Sequence, residues 1–300
     1  MCRVFGCVSA EPVSIRHELL GAKNPMIRQS EEHDSGWGMA VYERPDGSDL
    51  KLVRFPEAAY SDGSFLRATS MRGRIFNVHV RRATMGGLAL VNTHPFCLGT
   101  YSLSHNGTIV RYPRLLGPGV SRPVGDTDSE HLFNLLMSDY DPAEPVDCLR
   151  RTVRIAVERS DFSGLNLLFC DGERLFAYRL GIFELHWLAR PGQLLVASEK
   201  VTEEPWHSVQ QDVLLVLDPD DLEEPHAERL LGDELVAQAR IRKVDLQPHL
   251  RGAERGAAAA ERARQAATAE DAGEAATTAD QPRGPAAAEE QAGEAAAAAE

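Results

Sequence analysis

A succession of short apolar runs after Gly164 constrains the fold more than any other feature of the sequence. Each run has the length and the Leu, Val and aromatic content of a β-strand, and only a few residues separate it from the next. Such close spacing predicts a meander of antiparallel strands, which would form a second sheet. The runs are LNLLFC, ERLFAYRL, IFELHWLA, QLLVASE and DVLLVLD.

The first half of the chain also contains strand-like runs, which are VFGCVSA, GWGMAVYE, DLKLVRF and RIFNVHV. The second and third should pair as a hairpin through the Pro45–Ser48 turn. In the fourth, residues of alternate position share one face of the strand. Those residues are Ile75, Asn77, His79 and Arg81.

Two helices are expected between the two strand-rich parts. Thr127 or Asp128 is suited to be the N-cap of the first helix, whose apolar stripe contains leucines. The second helix covers VDCLRRTVRIAVERS and has one apolar face. The apolar residues are Leu132, Leu135 and Leu136 in the first helix, and Val146, Leu149, Val153 and Val157 in the second.

The composition of the chain changes near Leu250. Residues 251–300 are rich in Ala and Glu and contain no aromatic residue, Val, Ile or Leu. Because nothing in this segment can form a large apolar face, we expect a disordered or fluctuating-helix tail after a folded domain of residues 2–250.

Charge and apolar content limit the partners of the folded part. A net charge of −13 argues against nucleic acid or an anionic membrane as the main partner. No apolar run approaches the roughly 18 residues of a membrane-spanning helix, and the first residues do not resemble a signal peptide. Five cysteines without CxxC spacing favour reduced thiols in a cytoplasm over disulfides or a zinc site.

Cys2 is the residue with the clearest chemical potential. If Met1 is removed, Cys2 carries a thiol and a free α-amine. A thiol with a pKa near about 8.5 is mostly protonated at neutral pH, whereas an α-amine with a pKa of about 7.7–8.0 can accept its proton. The same amine can later pass this proton to a leaving ammonia. Alternatively, a cysteine at position 2 has no role, and position 2 by itself does not separate the two interpretations.

Four motifs follow Cys2 in a characteristic order: HVRRAT (79–84), NTHPF (92–96), SHNG (104–107) and GDTDSE (125–130). Together with GWG (36–38) and ASE (197–199), they resemble the class II, or N-terminal nucleophile, glutamine amidotransferases, and most closely the small branch without an attached synthase domain. The resemblance covers about residues 2–250. It implies an α+β fold, an αββα sandwich of two antiparallel sheets between helical layers.

The resemblance also implies roles for individual residues. Cys2 is the expected nucleophile, and the Asn106 side-chain amide and the Gly107 backbone N–H are the expected oxyanion donors. A glycine at position 107 should leave the substrate room to approach the backbone. Arg81 resembles the ligand of a substrate α-carboxylate and Asp128 the ligand of an α-ammonium group. The expected supporting pocket residues are Thr84 and His94.

Several of these residues have plainer explanations. Asn106-Gly107 between apolar runs is also a strong hairpin signal. Asp128 could be only a helix cap, and His94 could equally be a hydrogen-bonded structural histidine. The sequence departs from the family at Arg82, where many members have an aromatic residue, and at Met85, where many have a histidine.

The expected activity is hydrolysis of the γ-amide of glutamine or of a γ-glutamyl compound through a Cys2 thioester, with no metal or organic cofactor. Three alternatives remain open. The chain could be a glutaminase subunit that delivers ammonia to a separate synthase, or an acylase for another amide. It could also be a non-catalytic protein that retains the fold. An acylase would have little use for Arg81 and Asp128, since an acyl chain has no amino-acid head group.

Overall fold

The computed structural model describes residues 2–244. Alternating apolar residues produce strands along most of this part. The strands are β1 Arg3–Val13, β2 Trp37–Tyr42, β3 Lys51–Phe55, β4 Gly73–Val80, β5 Phe96–Leu98, β6 Tyr101–Asn106, β7 Ile109–Val110, β8 Asp161–Phe162, β9 Asn166–Cys170, β10 Leu175–Arg179, β11 His186–Arg190, β12 Gln193–Ala197, β13 His207–Ser208, β14 Val213–Asp218 and β15 Asp221–Arg229. The α-helices are α1 Met26–Gln29, α2 Gly63–Ala68, α3 Asp128–Met137, α4 Pro145–Arg159 and α5 Asp233–Gln238.

Two large sheets organise the strands. The first has seven strands in the order β13-β11-β12-β1-β4-β2-β3, and the second has six in the order β15-β14-β10-β9-β6-β5. Neighbours within both sheets pair antiparallel. Strands β7 and β8 form a separate pair. The predicted hairpin of the first half is the β2–β3 pair.

The two sheets pack face to face between helical layers. Side chains such as Val4, Val8 and Leu168 fill the space between the sheets. The outer face of the first sheet packs against α1, α2 and the π-helical turn His17–Gly21. The outer face of the second sheet packs against α3 and α4. The fold is therefore the expected αββα sandwich.

The expected single meander in the second half is wrong. Strands β9, β10, β14 and β15 lie in the second sheet, but β11 and β12 cross to the first sheet, where β12 pairs with β1. The chain leaves the second sheet at Gly181, whose φ of 126° suits glycine. Short connections restrict where the next strand begins, but they do not decide which sheet it joins.

The helices agree with the pattern of apolar residues. Thr127 is the N-cap of α3, and its side chain accepts a hydrogen bond from the Glu130 N–H. The predicted stripe of α3 is buried, and so are Leu149, Val153 and Val157 of α4. Within residues 2–244, no helix is long and apolar enough to cross a membrane. The predicted tail, residues 251–300, lies outside the described residues.

Candidate active site

Cys2 lies where β1 begins, in the middle of the first sheet. Strand β1 is held between β12 and β4, and the pairing of Arg3 with Val80 brings Cys2 beside Arg81 when the register is continued by one residue. The next residue along β1 is also fixed, because the Val4 N–H donates to the Ser198 hydroxyl at 3.1 Å. This serine belongs to the ASE motif, so that motif anchors the strand that carries Cys2.

The Cys2 thiol is buried, with 8% of the residue exposed. Its Sγ lies 3.7 Å from the Arg82 carbonyl oxygen, which can accept the thiol proton in a hydrogen bond. Burial raises the pKa of this thiol, and the Arg81 guanidinium partly offsets the effect. A protonated thiol is a poor nucleophile, so chemistry at Cys2 requires a nearby base.

Arg81 follows β4 and is buried, with 2% of the residue exposed. Its guanidinium donates to the carbonyl oxygens of Met85 at 2.7 Å, Gly86 at 3.4 Å and Gly87 at 3.0 Å. Burial lowers the pKa of Arg81, while the charges of Cys2 and Asp128 act in the opposite direction. Arg81 therefore fixes the loop at residues 85–87 and places a positive charge close to Cys2.

Asp128 is the first residue of α3, and 3% of it is exposed. Asp128 is not merely a helix cap, as one interpretation of the sequence had it, because Thr127 is the N-cap of α3. One carboxylate oxygen of Asp128 accepts a hydrogen bond from the Ile109 N–H at 2.7 Å. Asp128 thus stands at the positive end of the α3 dipole. Its negative charge adds to the rise in the pKa of the Cys2 thiol and opposes the lowering of the Arg81 pKa by burial.

Asn106 and Gly107 follow each other at the end of β6. Asn106 is 1% exposed, and its side-chain oxygen has no hydrogen-bond partner within residues 2–244. The hairpin alternative is wrong, because β6 pairs with β9 and β7 pairs with β8. At Gly107 a Cβ would overlap the carbonyl oxygen of Gly164. The structure thus requires glycine at position 107 because the residue packs against the neighbouring backbone. The sequence had predicted only room for the substrate at this position.

Thr84 and His94 occupy two different environments. The Thr84 hydroxyl lies 3.0 Å from the Thr108 hydroxyl. Thr108 directly precedes Ile109, whose N–H donates a hydrogen bond to the Asp128 carboxylate. His94 is buried and stacks on His79, with ring centroids 4.1 Å apart. Neither ring nitrogen of His94 has a hydrogen-bond partner within the described chain, so the hydrogen-bonded structural alternative finds no partner there. Thr84 is thus linked to the Asp128 segment, and His94 to the interior of the sandwich.

His105 and Ser129 lie inside two of the motifs and connect elements around the site, but neither was among the predicted site residues. The His105 ring lies 2.9 Å from the Ser129 hydroxyl and 3.0 Å from the Gly164 carbonyl oxygen. It therefore ties β6 to α3 and to the segment beneath Gly107. Burial lowers the pKa of His105, so this bridge is uncharged at neutral pH. Its partners are distant in sequence, so only their position inside the SHNG and GDTDSE motifs could have drawn attention to them.

No group of three or more His, Cys, Asp or Glu side chains in residues 2–244 could hold a metal ion. All five cysteines are free thiols. The site contains a buried thiol with one guanidinium and one carboxylate nearby.

Comparison with known proteins agrees with these observations. Residues 1–192 match the family profile described as glutamine amidotransferases class-II. An uncharacterized protein of Methanocaldococcus jannaschii is 30% identical over 254 residues, which cover 72% of this chain and 69% of the relative.

Two solved structures have the same fold. A glutamine aminotransferase class-II domain protein from Silicibacter pomeroyi has a TM-score of 0.54 at 19% identity, covering 77% of this chain and all of the other. A glutamine phosphoribosylpyrophosphate amidotransferase from Bacillus subtilis has a TM-score of 0.60 at 17% identity, covering 77% of this chain and 50% of the other.

Proposed function

The chain belongs to the class II glutamine amidotransferases, and we propose that it hydrolyses the γ-amide of glutamine or of a γ-glutamyl compound through a thioester on Cys2. The observation that carries this proposal is the common location of Cys2, Arg81 and Asp128. All three are buried, and each affects the ionisation of another. A buried cation and a buried anion beside one thiol fit a substrate that carries an α-carboxylate and an α-ammonium group.

The first chemical step is attack of the Cys2 sulfur on the amide carbonyl. The α-amine of Cys2, free after removal of Met1, accepts the thiol proton. The carbonyl oxygen gains negative charge, which the Asn106 side-chain amide and the Gly107 N–H stabilise. The C–N bond then breaks, and the leaving amine takes the proton that the α-amine holds.

Water completes the reaction. It attacks the thioester carbonyl and loses a proton to the α-amine, and the products are a γ-carboxylate and the free thiol. Every step uses groups of this chain, the substrate and water. The five free thiols suit a reducing compartment such as the cytoplasm.

A glutaminase subunit that supplies a separate synthase is the second candidate. The apolar residues Leu88, Leu90 and Val91 are exposed just after the loop that Arg81 holds. An exposed apolar segment next to the site could contact a synthase that receives the ammonia. The match to the Bacillus subtilis structure covers only 50% of that protein, so about half of its chain lies beyond the shared fold. This observation also supports the second candidate.

Substrate discrimination tests the leading proposal. We expect wild-type kcat/KM to favour glutamine over glutaramic acid, which lacks the α-amine, by roughly 10- to 150-fold. This range corresponds to one lost charge-assisted contact of about 1.5–3 kcal/mol. Asp128→Asn should lose most of this preference. Arg81→Lys should also be poor, because an ammonium group cannot make the planar two-point contact.

The rates on glutamine and glutaramic acid also separate the rival functions. Equal rates on both substrates in the wild type would favour the acylase. Hydrolysis of neither substrate by the free chain, followed by activity when a synthase is added, would favour the dependent subunit. Inactivity under both conditions would favour the non-catalytic alternative.

A further inference from the structure

The proposed oxyanion donors, Asn106 and Gly107, lie between two buried side chains that hydrogen-bond to distant parts of the chain. His105 precedes the pair and Thr108 follows it, and each of these two residues is 1% exposed. We call residues 105–109 the donor segment, which runs from the end of β6 to the start of β7. Side chains that flank two donors can decide how the donors are oriented.

His105 joins the donor segment to the start of α3. Its Nε2 lies 3.0 Å from the Gly164 carbonyl oxygen, and its Nδ1 lies 2.9 Å from the Ser129 hydroxyl. A carbonyl oxygen can only accept, so Nε2 carries the proton of the neutral ring and Nδ1 accepts from the Ser129 O–H. Ser129 directly follows Asp128, the proposed ligand of the substrate α-ammonium group.

Thr108 joins the donor segment to the other side of the proposed head-group site. Its hydroxyl lies 3.0 Å from the hydroxyl of Thr84. In the chain, Thr84 lies between Arg81, the proposed ligand of the substrate α-carboxylate, and residues 85–87, whose carbonyl oxygens accept from the Arg81 guanidinium. The hydroxyl pair therefore connects the donor segment to the loop that Arg81 holds.

Backbone hydrogen bonds fix the donor segment independently of these two side chains. The Thr108 N–H donates to the Ser163 hydroxyl at 3.0 Å, and the Ser163 N–H donates to the Thr108 carbonyl oxygen at 2.9 Å. The Ile109 N–H donates to the Asp128 carboxylate at 2.7 Å. Removal of one side-chain bond should therefore leave the donor segment in place and change mainly its connection to the head-group site.

We propose that His105 and Thr108 are positioning residues, which couple occupation of the head-group site to the alignment of the oxyanion donors. The His105 connection responds to an α-ammonium group bound at Asp128. The Thr108 connection responds to an α-carboxylate bound at Arg81. This inference rests on the proposed function and goes beyond it, because it assigns the two halves of the substrate head group to two separate connections.

Such coupling places part of the recognition of the head group in the chemical step. An interaction that is stronger in the transition state raises kcat, whereas an interaction made equally in the ground state only lowers KM. The donors are aligned best when both halves of the head group are bound. A substrate that lacks one half therefore loses rate as well as affinity.

Two truncated substrates separate the two connections. Glutaramic acid keeps the carboxylate and lacks the α-amine, whereas 4-aminobutanamide keeps the amine and lacks the carboxylate. The quantity to measure is kcat/KM for glutaramic acid divided by kcat/KM for 4-aminobutanamide. Because both values come from one preparation, their ratio does not depend on the fraction of folded enzyme, and a variant that folds incompletely still gives a result.

Two substitutions should shift this ratio in opposite directions. Thr108→Val removes the hydroxyl that bonds to Thr84 and should lower the ratio about fivefold, since only the carboxylate-bearing substrate uses that connection. Ser129→Ala removes the donor to His105 and should raise the ratio about fivefold, since only the amine-bearing substrate uses this one. With glutamine, each variant should lower kcat about fivefold and change KM by less than about twofold.

Two further variants serve as controls. Thr108→Ser keeps a hydroxyl at position 108 and should retain the wild-type ratio. Thr152→Val is the matched control for loss of a hydroxyl, because Thr152 is also buried and its hydroxyl donates to the Cys148 carbonyl oxygen at 2.9 Å within α4. This substitution should leave both the ratio and kcat unchanged.

The outcomes distinguish the coupling from the proposed function. A ratio that stays unchanged in either Thr108→Val or Ser129→Ala, or that shifts the same way in both, would overturn the coupling while glutamine is still hydrolysed. A purely structural role of the two bonds predicts an unchanged ratio, since both truncated substrates would then slow equally. Failure of the wild type to hydrolyse glutamine would overturn the proposed function and this inference with it.

Discussion

At position 107 the backbone leaves no room for a side chain. The segment around Gly107 lies against Gly164, and the His105 ring bridges the same region through its bond to the Gly164 carbonyl. The oxyanion donors proposed here therefore belong to a tightly packed piece of backbone. A change of one methyl group at this position should affect both stability and activity.

We expect Gly107→Ala to lower the free energy of unfolding by about 1–3 kcal/mol, because the new Cβ forces strands to separate. Hydrolysis should fall together with stability, since the proposed donor N–H moves. Urea denaturation measures the first effect. Gly117→Ala is the matched control, because a Cβ there meets no atom within 4 Å and the change should be nearly neutral. Equal stability of the two variants would contradict this packing.

At the level of single residues, the motifs and their family resemblance led to Cys2, Arg81 and Asp128, and in the structure the charges of Arg81 and Asp128 act on the Cys2 thiol. The catalytic and binding roles of these residues stay predictions. The contact between Asn92 and Asp126, at 2.7 Å, was not predictable. These residues are 34 positions apart in sequence, one in the segment before β5 and the other in the segment before α3, and meet only in the folded chain.

Among the elements, periodicity predicted strands and helices well and their neighbours poorly. Alternation placed Asn77 and His79 on one face of β4, and the structure directs the Asn77 amide to the Leu168 carbonyl oxygen of β9 at 3.2 Å. The expected meander was wrong for β11 and β12, which join the first sheet. Alternation reports which face of a strand is buried, whereas the choice of sheet depends on contacts distant in sequence.

The Asn106-Gly107 pair shows the same limit. A short turn signal between apolar runs usually indicates a hairpin. Here Asn106 pairs with Asn166 of β9, and Ile109 pairs with Phe162 of β8. The two runs separate at the glycine because each finds a partner more than fifty residues further along the chain.

For the molecule as a whole, the space between the sheets contains polar groups as well as apolar side chains. His79 and His94 are buried there, and the ring nitrogens of both lack hydrogen-bond partners within residues 2–244. Burial lowers the pKa of each well below its usual value. The fold therefore holds both rings in the neutral form.

Acid should destabilise the protein through these histidines. Their folded pKa lies below the unfolded value of about 6.5, so the unfolded chain binds more protons as pH falls through that value. Their contribution is fully present above about pH 6.5 and is progressively lost below it. Each histidine should add a slope of up to about 1.4 kcal/mol per pH unit.

The measurement is the free energy of unfolding from urea titrations between pH 7 and pH 4.5. His94→Leu should reduce the slope of unfolding free energy against pH by the contribution of about one histidine, which is up to about 1.4 kcal/mol per pH unit. This reduction is expected whatever the effect of the substitution on stability at pH 7. His226→Asn is the control, since this histidine is exposed and the slope should not change. A wild-type slope near zero across pH 6.5–5 would contradict the burial of neutral rings.

We propose that Cys2, as the first residue of the mature chain, forms the covalent intermediate. Acid-quenched mass spectrometry during turnover of glutamine detects such an intermediate. We expect chains without Met1 that carry one γ-glutamyl group on the peptide beginning with Cys2. Cys2→Ala should show no adduct and no hydrolysis, while Cys97→Ala should behave as wild type. Turnover by chains that retain Met1, or an adduct on a different residue, would contradict the claim.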